Sequence, residues 1–223
     1  NVRYSSQQMN SLSGVGVLDK AMAVLAALEP APHSLAELVA ATGLSRATTH
    51  RLAVALEAHG LVRRDEDGRF SLGLRLIGLG HAAAEAVPGW LDARPALDRL
   101  REQTGESVQL FVRDGDERVC IESLEAPHEL RTIVPVGARL PLDRGSGGRA
   151  LRNVGTLGWV ESVAERQPGV ASVSAPVADP SGRVVAAVSV SGPIDRTGRS
   201  PGRRYGAAVV EAARSIAAHL ARP

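Results

Sequence analysis

The sequence predicts an α+β protein of two domains. An N-terminal winged helix-turn-helix is joined by a linker helix to an α/β, sensor-like (GAF-like) domain with an antiparallel sheet. Residues 34–72 read as two short amphipathic helices with a glycine turn between them, followed by a basic hairpin. The second half instead alternates apolar and polar residues in hairpins that lie between helices. At 223 residues the chain has room for a core in each domain.

The first helix of the pair begins with a capping-box pattern. Ser34 precedes Leu35, and Glu37 follows three residues after the serine, so each side chain can satisfy a backbone amide at the helix start. Gly43 suits the left-handed position that ends this helix, and Ser45 suits the N-cap of the next one. A helix-turn-helix presents the N-terminal side chains of its second helix to the major groove of DNA.

The candidate DNA contacts lie on the second helix and on the hairpin. Thr49, Leu52 and Leu56 form the predicted inner face of the helix, which leaves the polar side chains near its N-terminus outward. Arginines of the hairpin can reach phosphates or the minor groove. The alternative is a small helical subdomain whose arginines are only solvated. The predicted DNA-binding residues are Ser45, Arg46, Thr48, His50, Arg51, Arg63, Arg64 and Arg69.

Composition excludes several classes of function. The net charge is only +2, so a DNA site must be local, and an aromatic content of 3% argues against single-stranded nucleic acid as the main ligand. The one cysteine, Cys120, excludes an intrachain disulfide and a cysteine-based zinc site, and it suits a reducing cytoplasm. We expect no metal and no cofactor. No apolar run approaches membrane-spanning length, so a cytoplasmic location is predicted.

Segments on both sides of the helix-turn-helix complete the first half. Residues 1–14 are expected to be disordered or an artificial extension, so the DNA-binding domain spans 15–72. Residues 73–88 read as a linker helix that is apolar on more than one side. Such a helix favours dimerisation, with packing on its own domain as the alternative. The inner face of the first helix of the domain is predicted to consist of Val17, Leu18, Met22, Leu25 and Leu28.

The second domain, residues 89–223, has predicted helices at both ends and strands between them. The first helix is expected to bury Leu91 together with Leu97 and Leu100. The expected elements are a helix over 90–104, a hairpin over 107–124, a strand over 130–136, a hairpin over 170–191 and a helix over 201–220.

A glycine-rich segment and four serines are the candidate binding groups of this domain. Residues 145–148 precede a predicted helix start, whose free amides and dipole favour an anion such as a carboxylate. The segment lacks the lysine of a Walker A loop and the first glycine of a nucleophile elbow. Ser172 and Ser174 alternate on one strand, as do Ser189 and Ser191 on its partner, so each pair shares a sheet face. A glycine turn without a ligand and a merely polar sheet face remain the alternatives.

The chain resembles the IclR family of bacterial transcriptional regulators over nearly its whole length. The similarity lies in GLSRATTHRL, in VGARLPL followed by GSGGRAL, and in PGVASVSAPV followed by GRVVAAVSVSGP. Judged by SGVGVLDKA and the serine-rich hairpin, it is most similar to the regulators of amino-acid and leucine biosynthesis. The resemblance implies a homodimer or tetramer, an operator-binding domain, and an effector-binding domain for a small metabolite that often carries a carboxylate.

The resemblance also implies the effector contacts, to which we add Leu140 as an apolar contact. In two places the chain departs from the family pattern. Where the family has a longer helical stretch, this chain has only Arg152–Thr156, and we expect that a segment over the effector pocket has been omitted from the sequence rather than truly deleted. The second departure is Asp143-Arg144, which leaves the type of ligand open. The predicted effector-binding residues are Leu140, Ser146, Gly147, Ser162, Val170, Ser172, Ser189 and Ser191.

The predicted function is a metabolite-responsive transcriptional regulator, either activator or repressor, and not an enzyme. Its expected partners are double-stranded operator DNA, a small carboxylate effector and a second copy of the chain, with no membrane. The alternative is a small-molecule-processing enzyme with an appended DNA-binding domain, but the second half shows no metal-ligand spacing and no Ser/His/Asp set. A purely architectural DNA-binding protein would require no ligand.

Overall fold

The computed structural model describes residues 14–87, 90–153 and 157–220, without the side chain of Leu91. The chain divides into two compact units, of which the first ends at Ala84 and the second begins at Glu85. The predictions for residues 1–13, for Pro88-Gly89, for Val154–Thr156 and for the Leu91 side chain lie outside the described residues.

Helices and one hairpin make up the described part of the N-terminal unit. Its elements are α1 (Gly16–Leu28), α2 (Leu35–Thr42), α3 (Arg46–Ala58), β1 (Val62–Arg64), β2 (Phe70–Leu72) and α4 (Arg75–Glu85). β1 and β2 pair antiparallel, and Phe70 exchanges two backbone hydrogen bonds with His33. The hairpin is therefore extended by the chain that leads into α2. Val24, Leu38 and Phe70 are among the core residues that the three helices and the hairpin share.

The turn between α2 and α3 has the predicted caps. Ser34 Oγ accepts a hydrogen bond from the amide of Glu37 at 3.3 Å, and the Glu37 carboxylate accepts from the amide of Ser34 at 2.7 Å. Gly43 has a φ of +67°, and its amide donates to the carbonyl of Val39 at 2.9 Å. Both caps satisfy backbone groups that a helix end leaves without partners. The predicted helix-turn-helix is confirmed.

The inner face of α1 differs from the prediction. Val17, Leu18 and Met22 are each more than half exposed, whereas Val24 and Leu28 are almost fully buried. The prediction was wrong for the first half of the helix, because α1 carries apolar residues on two sides and the described domain covers only one of them.

Apolar side chains are also exposed at and before α4. Leu74, Ile77 and Leu79 have exposed fractions of 67%, 69% and 51%. Single exposed apolar residues are common on soluble proteins, but here several are exposed on α4 and on α1 of the same unit.

Six antiparallel strands form one sheet within the described part of the C-terminal unit, in the order β5-β4-β3-β8-β7-β6. The strands are β3 (Ser107–Asp114), β4 (Glu117–Leu124), β5 (Arg139–Pro141), β6 (Val160–Val163), β7 (Val170–Ala178) and β8 (Val184–Pro193). The helices are α5 (Trp90–Thr104), α6 (Gly145–Leu151), α7 (Ile194–Thr197) and α8 (Pro201–Leu220). The predicted helices over 90–104 and 201–220 are confirmed over their full length.

Both faces of the sheet are covered, and strand alternation decides which side chain reaches which face. Leu110 of β3 and Val188 of β8 lie in the large core with Ile216 of α8. Their chain neighbours Phe111 and Ala187 lie in a second cluster, where α6 packs. Because successive side chains of a strand point to opposite faces, the serines of β7 and β8 face α6 and not the large core.

The predicted strand over 130–136 does not form. Val134 is buried, but Leu130, Ile133 and Val136 are more than half exposed, and the strand in this region is β5. Pro135, inside this segment, cannot donate a hydrogen bond to a strand ladder, which disfavours a strand at this position. β6 is a further strand that the sequence analysis missed.

Trp159 packs on a flat surface of α8 that two glycines create. A Cβ at Gly202 would approach the indole ring to within 3.0 Å, and a Cβ at Gly206 would lie 2.7 Å from Trp159 Nε1. A glycine inside a helix costs about 1 kcal/mol relative to alanine. Close packing of the indole is the reason that α8 carries two of them one turn apart.

Candidate functional site

The N-terminal half of α3 presents an exposed basic surface. Arg46, His50 and Arg51 are exposed, while Thr49 on the opposite side is fully buried. Within the described chain none of the three exposed residues makes a side-chain hydrogen bond or an ion pair. Their side chains are therefore available to an external partner.

Ser45 and Thr48, also predicted as DNA contacts, bond to each other. Ser45 Oγ accepts from the amide of Thr48 at 3.3 Å, and its hydroxyl donates to Thr48 Oγ1 at 2.9 Å. Ser45 is thus the N-cap of α3, and Thr48 is half-buried. Both hydroxyls stabilise the first turn of the helix that carries Arg46.

Arg69 ties the hairpin to the start of α2. Its Nη2 donates to the carbonyl of Pro32 at 2.8 Å and pairs with the Glu37 carboxylate at 2.9 Å. The carboxylate that completes the capping box therefore also anchors the hairpin. A predicted DNA contact thus has a structural role that the sequence analysis did not foresee.

The other two hairpin arginines are held less firmly. Arg64 pairs with Glu57 at 3.2 Å, and its guanidinium carbon lies 4.4 Å from the ring centre of Phe70. Arg63 is exposed and makes one side-chain hydrogen bond, from Nε to Ser71 Oγ at 3.2 Å, which leaves both terminal nitrogens without a hydrogen-bond partner among the described residues. Arg63 is accordingly the hairpin arginine most available to a phosphate.

A cavity lies on the α6 side of the sheet in the C-terminal unit. It has about 410 Å³ of empty space when the open mouth is included. The cavity brings together all of the predicted effector-binding residues, namely Leu140, Ser146, Gly147, Ser162, Val170, Ser172, Ser189 and Ser191.

Serine hydroxyls form a hydrogen-bonded chain along this cavity. Ser146 Oγ lies 2.7 Å from both Ser172 Oγ and Ser174 Oγ, and Ser174 Oγ donates to Ser189 Oγ at 2.9 Å. The strand register explains the chain, because Ser174 is paired with Ser189 and Ser172 with Ser191 across β7 and β8. Each hydroxyl can accept more hydrogen bonds than this chain supplies, so the network can also bind a polar ligand.

Two buried side chains of the cavity were missed by the sequence analysis. Gln109 accepts a hydrogen bond from Ser191 at 2.9 Å, but its Nε2 has no partner among the described residues. Nη1 of Arg118 donates to the carbonyls of Pro141 at 2.5 Å and Arg144 at 2.7 Å, but its Nε likewise has none. Both side chains are at most 3% exposed. Both unsatisfied groups are donors, so a ligand that offers acceptor atoms would satisfy them.

Arg118 and Arg166 make the cavity electropositive. Burial, together with the nearby charge of Arg166, lowers the pKa of Arg118 to about 10, although Asp143 acts in the opposite direction. Burial also lowers the pKa of Arg166. Both guanidiniums remain charged at neutral pH, and none of the cavity-lining residues is a carboxylate.

The glycines of α6 are positions of close packing. A Cβ at Gly148 would approach the carbonyl of Leu142 to within 3.0 Å and would lie 2.7 Å from Arg118 Nη1. A Cβ at Gly147 would lie 3.2 Å from the Phe111 ring. Against the prediction that these glycines expose amides, their first effect is to let α6 pack closely on the Phe111 ring and the Arg118 guanidinium.

One amide of the α6 start already has a carboxylate partner. The amide of Gly145 donates to Glu165 Oε2 at 3.1 Å, and Arg149 Nη1 pairs with Oε1 of the same carboxylate at 2.9 Å. A ligand carboxylate at Gly145 would have to displace Glu165. The buried donors of Gln109 and Arg118 are therefore better candidates to bind an anion than this amide is.

Cys120 does not suit a redox or nucleophilic role. It is fully buried, and its Sγ donates to the carbonyl of Glu122 at 3.2 Å. Burial, with the nearby Glu122 charge, raises the pKa of the Cys120 thiol to about 12. The thiolate, which is the reactive form, is thus strongly disfavoured in the folded protein.

We expect Cys120 to resist alkylation in the native protein. At pH 8 a thiol with this pKa is ionised on the order of 10³-fold less than a free cysteine. Labelling with iodoacetamide, followed by mass spectrometry, should therefore be negligible until urea unfolds the chain. Rapid native labelling would contradict the burial of this strand.

Two kinds of feature are absent from the part of the chain that the structure describes. No group of three or more histidine, cysteine, aspartate or glutamate side chains in residues 14–87, 90–153 and 157–220 is placed to hold a metal ion. None of the described helices combines the length and the hydropathy needed to cross a bilayer.

Two protein-family models match the chain. The IclR helix-turn-helix domain matches residues 17–66. The C-terminal domain of the bacterial transcriptional regulator IclR matches residues 90–156 and 150–218. The two parts of the second match overlap at residues 150–156, which include the segment predicted to be shorter than the family pattern.

Curated relatives that the chain matches are transcriptional regulators and not enzymes. The chain is 30% identical to the HTH-type transcriptional regulator KipR of Bacillus subtilis over 147 residues, which cover 66% of this chain and 59% of that protein. It is 27% identical to the HTH-type transcriptional repressor AllR of Escherichia coli in an alignment of 246 positions that covers 93% of this chain and 91% of AllR.

Solved structures share the fold. An IclR homolog from Microbacterium hydrocarbonoxydans, complexed with 4-hydroxybenzoate, superposes with a TM-score of 0.74 at 21% identity. The superposition covers 92% of this chain and 98% of that one.

Proposed function

This chain belongs to the IclR family of bacterial transcriptional regulators, and we propose that it binds operator DNA through α3 and a small carboxylate in the cavity beside α6. One observation carries the proposal: the chain combines an exposed basic helix surface in one unit with a cavity of unsatisfied donors in the other. Enzymatic turnover forms no part of the proposal, since the matched relatives are regulators.

Three side chains of α3 are the proposed DNA contacts of this helix. Arg46 and His50 lie one turn apart near the N-terminus of the helix, where base edges are reached, and Arg51 lies beside them for a phosphate. Arg63 is the proposed first contact of the hairpin. Arg64 and Arg69 would have to release their carboxylate partners before binding DNA.

Replacing Arg46 by alanine should relax sequence preference and weaken operator binding by about 1–3 kcal/mol, as expected for a lost base contact. Arg51→Ala should weaken binding to all sequences alike and reduce the salt dependence. Fluorescence anisotropy with a genome-selected duplex and a scrambled one, at several salt concentrations, measures both effects. Arg183→Ala, which removes an exposed charge of the other unit, is the matched control. Equal loss of affinity for both duplexes in Arg46→Ala would contradict the reading role.

A second copy of the chain is the proposed partner of the exposed apolar surface on α1 and α4. One recognition helix reads too few base pairs for specificity, so two copies should bind related half-sites.

Dimerisation should weaken when a charge is placed on this surface. Ile77→Asp should shift the chain toward monomer in light scattering at micromolar concentration, because Ile77 is 69% exposed without a partner and would be buried by a dimer. Leu130→Asp alters an equally exposed side chain of the other unit and should leave at least a dimer. A wild-type chain that is monomeric with and without DNA would contradict the proposal.

The proposed effector is a small carboxylate. The buried donors of Gln109 and Arg118, the serine chain and the positive charge of the cavity all favour an anion with further polar groups. The homolog from Microbacterium hydrocarbonoxydans was solved with 4-hydroxybenzoate, which is such a molecule. A link to amino-acid or leucine metabolism stays a prediction from the sequence.

A panel of small carboxylates tests this half of the proposal. The true effector should raise the melting temperature of the full chain and should be recovered unchanged after incubation. Recovery of a chemically altered molecule would favour the enzyme alternative. Absence of any thermal shift across the panel would favour a purely architectural DNA-binding protein.

A further inference from the structure

We infer that the cavity beside α6 selects a small ligand with two anionic charges over the equivalent ligand with one. The inference rests on the proposed function, because it specifies the ligand class of the same cavity. Three observations support it: the charge of the lining, the arrangement of its arginines, and the buried donors that lack partners.

The lining has two cations and no anion. Arg118 and Arg166 contribute guanidiniums, and no aspartate or glutamate is among the cavity-lining residues. Outside the lining, Glu165 is already engaged by Arg149 and by the amide of Gly145, and Asp143 offsets only part of the effect that burial and Arg166 have on Arg118. A buried charge is costly unless an opposite charge compensates it. A ligand with one carboxylate would compensate the charge of one guanidinium and would leave the other guanidinium without a compensating ligand charge.

The two guanidiniums come from distant parts of the sheet. Arg118 is the second residue of β4, which lies next to one edge strand, whereas Arg166 follows β6, the strand at the opposite edge. The curl of the sheet brings both side chains to one cavity, and they are close enough for the charge of Arg166 to lower the pKa of Arg118. An anionic group at each end of a short ligand would remove that repulsion.

Arg118 is held in place before any ligand arrives. Its Nη1 is committed to the carbonyls of Pro141 and Arg144, and its guanidinium carbon lies 5.3 Å from the ring centre of Phe111. Nε remains as a buried donor without a partner among the described residues, as does Nε2 of Gln109. Arg166, in contrast, has no hydrogen bond or ion pair within the described chain. The donors of Arg118 and Gln109 that are already fixed in position favour binding, because binding then costs little side-chain conformational entropy.

Matched probes separate the two ligand classes. Succinate carries two carboxylates, and succinamate replaces one of them by an amide of nearly the same shape. In calorimetry on the full chain, succinate should bind at least about 10-fold more tightly than succinamate. Arg166→Gln should remove most of this preference while changing succinamate affinity little, and Arg166→Lys should retain it in part. Arg183→Gln, which alters an exposed arginine away from the cavity, should change neither affinity.

The outcomes distinguish this inference from the function it rests on. Equal affinity for succinate and succinamate, or an undiminished preference in Arg166→Gln, would overturn the inference. Binding of 4-hydroxybenzoate without binding of any dianion would also overturn it, and would leave the effector pocket intact. Binding of inorganic phosphate that depends on Arg166, without binding of succinate, would support a dianion and identify a phosphate group as its source. Failure of every anion to bind would overturn both the inference and the effector function.

Discussion

Replacing Gly148 by alanine is expected to destabilise the C-terminal unit by about 3 kcal/mol or more, the upper part of the range for overpacking. The added Cβ would meet the carbonyl of Leu142 and the Nη1 atom of Arg118. Neither atom can move aside without a cost in stability, since the contacted atom of Leu142 is a backbone carbonyl oxygen and Arg118 is anchored on the carbonyl of Pro141. Urea unfolding followed by circular dichroism measures the loss.

The neighbouring Gly147 provides the matched control. A Cβ there would meet the edge of the Phe111 ring at 3.2 Å, and a side chain can adjust by a few tenths of an ångström. Gly147→Ala should therefore cost about 1 kcal/mol or less. Equal stability of the Gly148→Ala variant and the wild type would show that α6 is not seated on Arg118 as described.

Replacing Gly202 by alanine is expected to cost about 2–4 kcal/mol, because the new Cβ would overlap the indole of Trp159. The indole must leave α8, so the fluorescence of the folded protein should change together with its stability. Gly78→Ala is the matched control in another helix. Apart from its chain neighbours and the backbone of its own helix, no described atom lies within 4 Å of its added Cβ, so under conditions where the chain is monomeric this variant should be more stable than the wild type by about 0.5–1 kcal/mol.

A double-mutant cycle tests the assignment to Trp159. In a Trp159→Ala background the overlap is gone, so Gly202→Ala should cost much less than it does with the indole present. An identical loss in both backgrounds would mean that Gly202 is constrained by something other than this ring.

Local signals made the helix-turn-helix predictable. Ser34, Glu37 and Gly43 each act within a few residues of themselves, so their caps can be deduced from spacing alone. The buried side of α1 could not be deduced in this way, because both of its sides are apolar and only the tertiary structure decides between them. The prediction of a strand over 130–136 was also wrong, and this segment contains a proline, which cannot donate a hydrogen bond to a strand ladder.

The candidate pocket was predictable where strand alternation applies. Ser172 and Ser189 each belong to a pair of serines that alternate along one strand and share a sheet face, and the family resemblance indicates that this face binds the ligand. Gln109 and Arg118 were missed because both faces of their strands are covered, so polarity alone does not reveal which residues reach a cavity. Arg166 lies in a loop, where no periodicity exists to assign a direction.

The most direct test of the central claim, that one chain couples a DNA site to an anion pocket, is a single titration. The affinity of the full chain for a genome-selected operator duplex is measured by fluorescence anisotropy with and without the saturating effector identified from the anion panel. We predict a change in operator affinity of about 5-fold or more, and by linkage the operator should change effector affinity by the same factor. Identical operator affinity with and without the bound effector would contradict the coupling of the two sites.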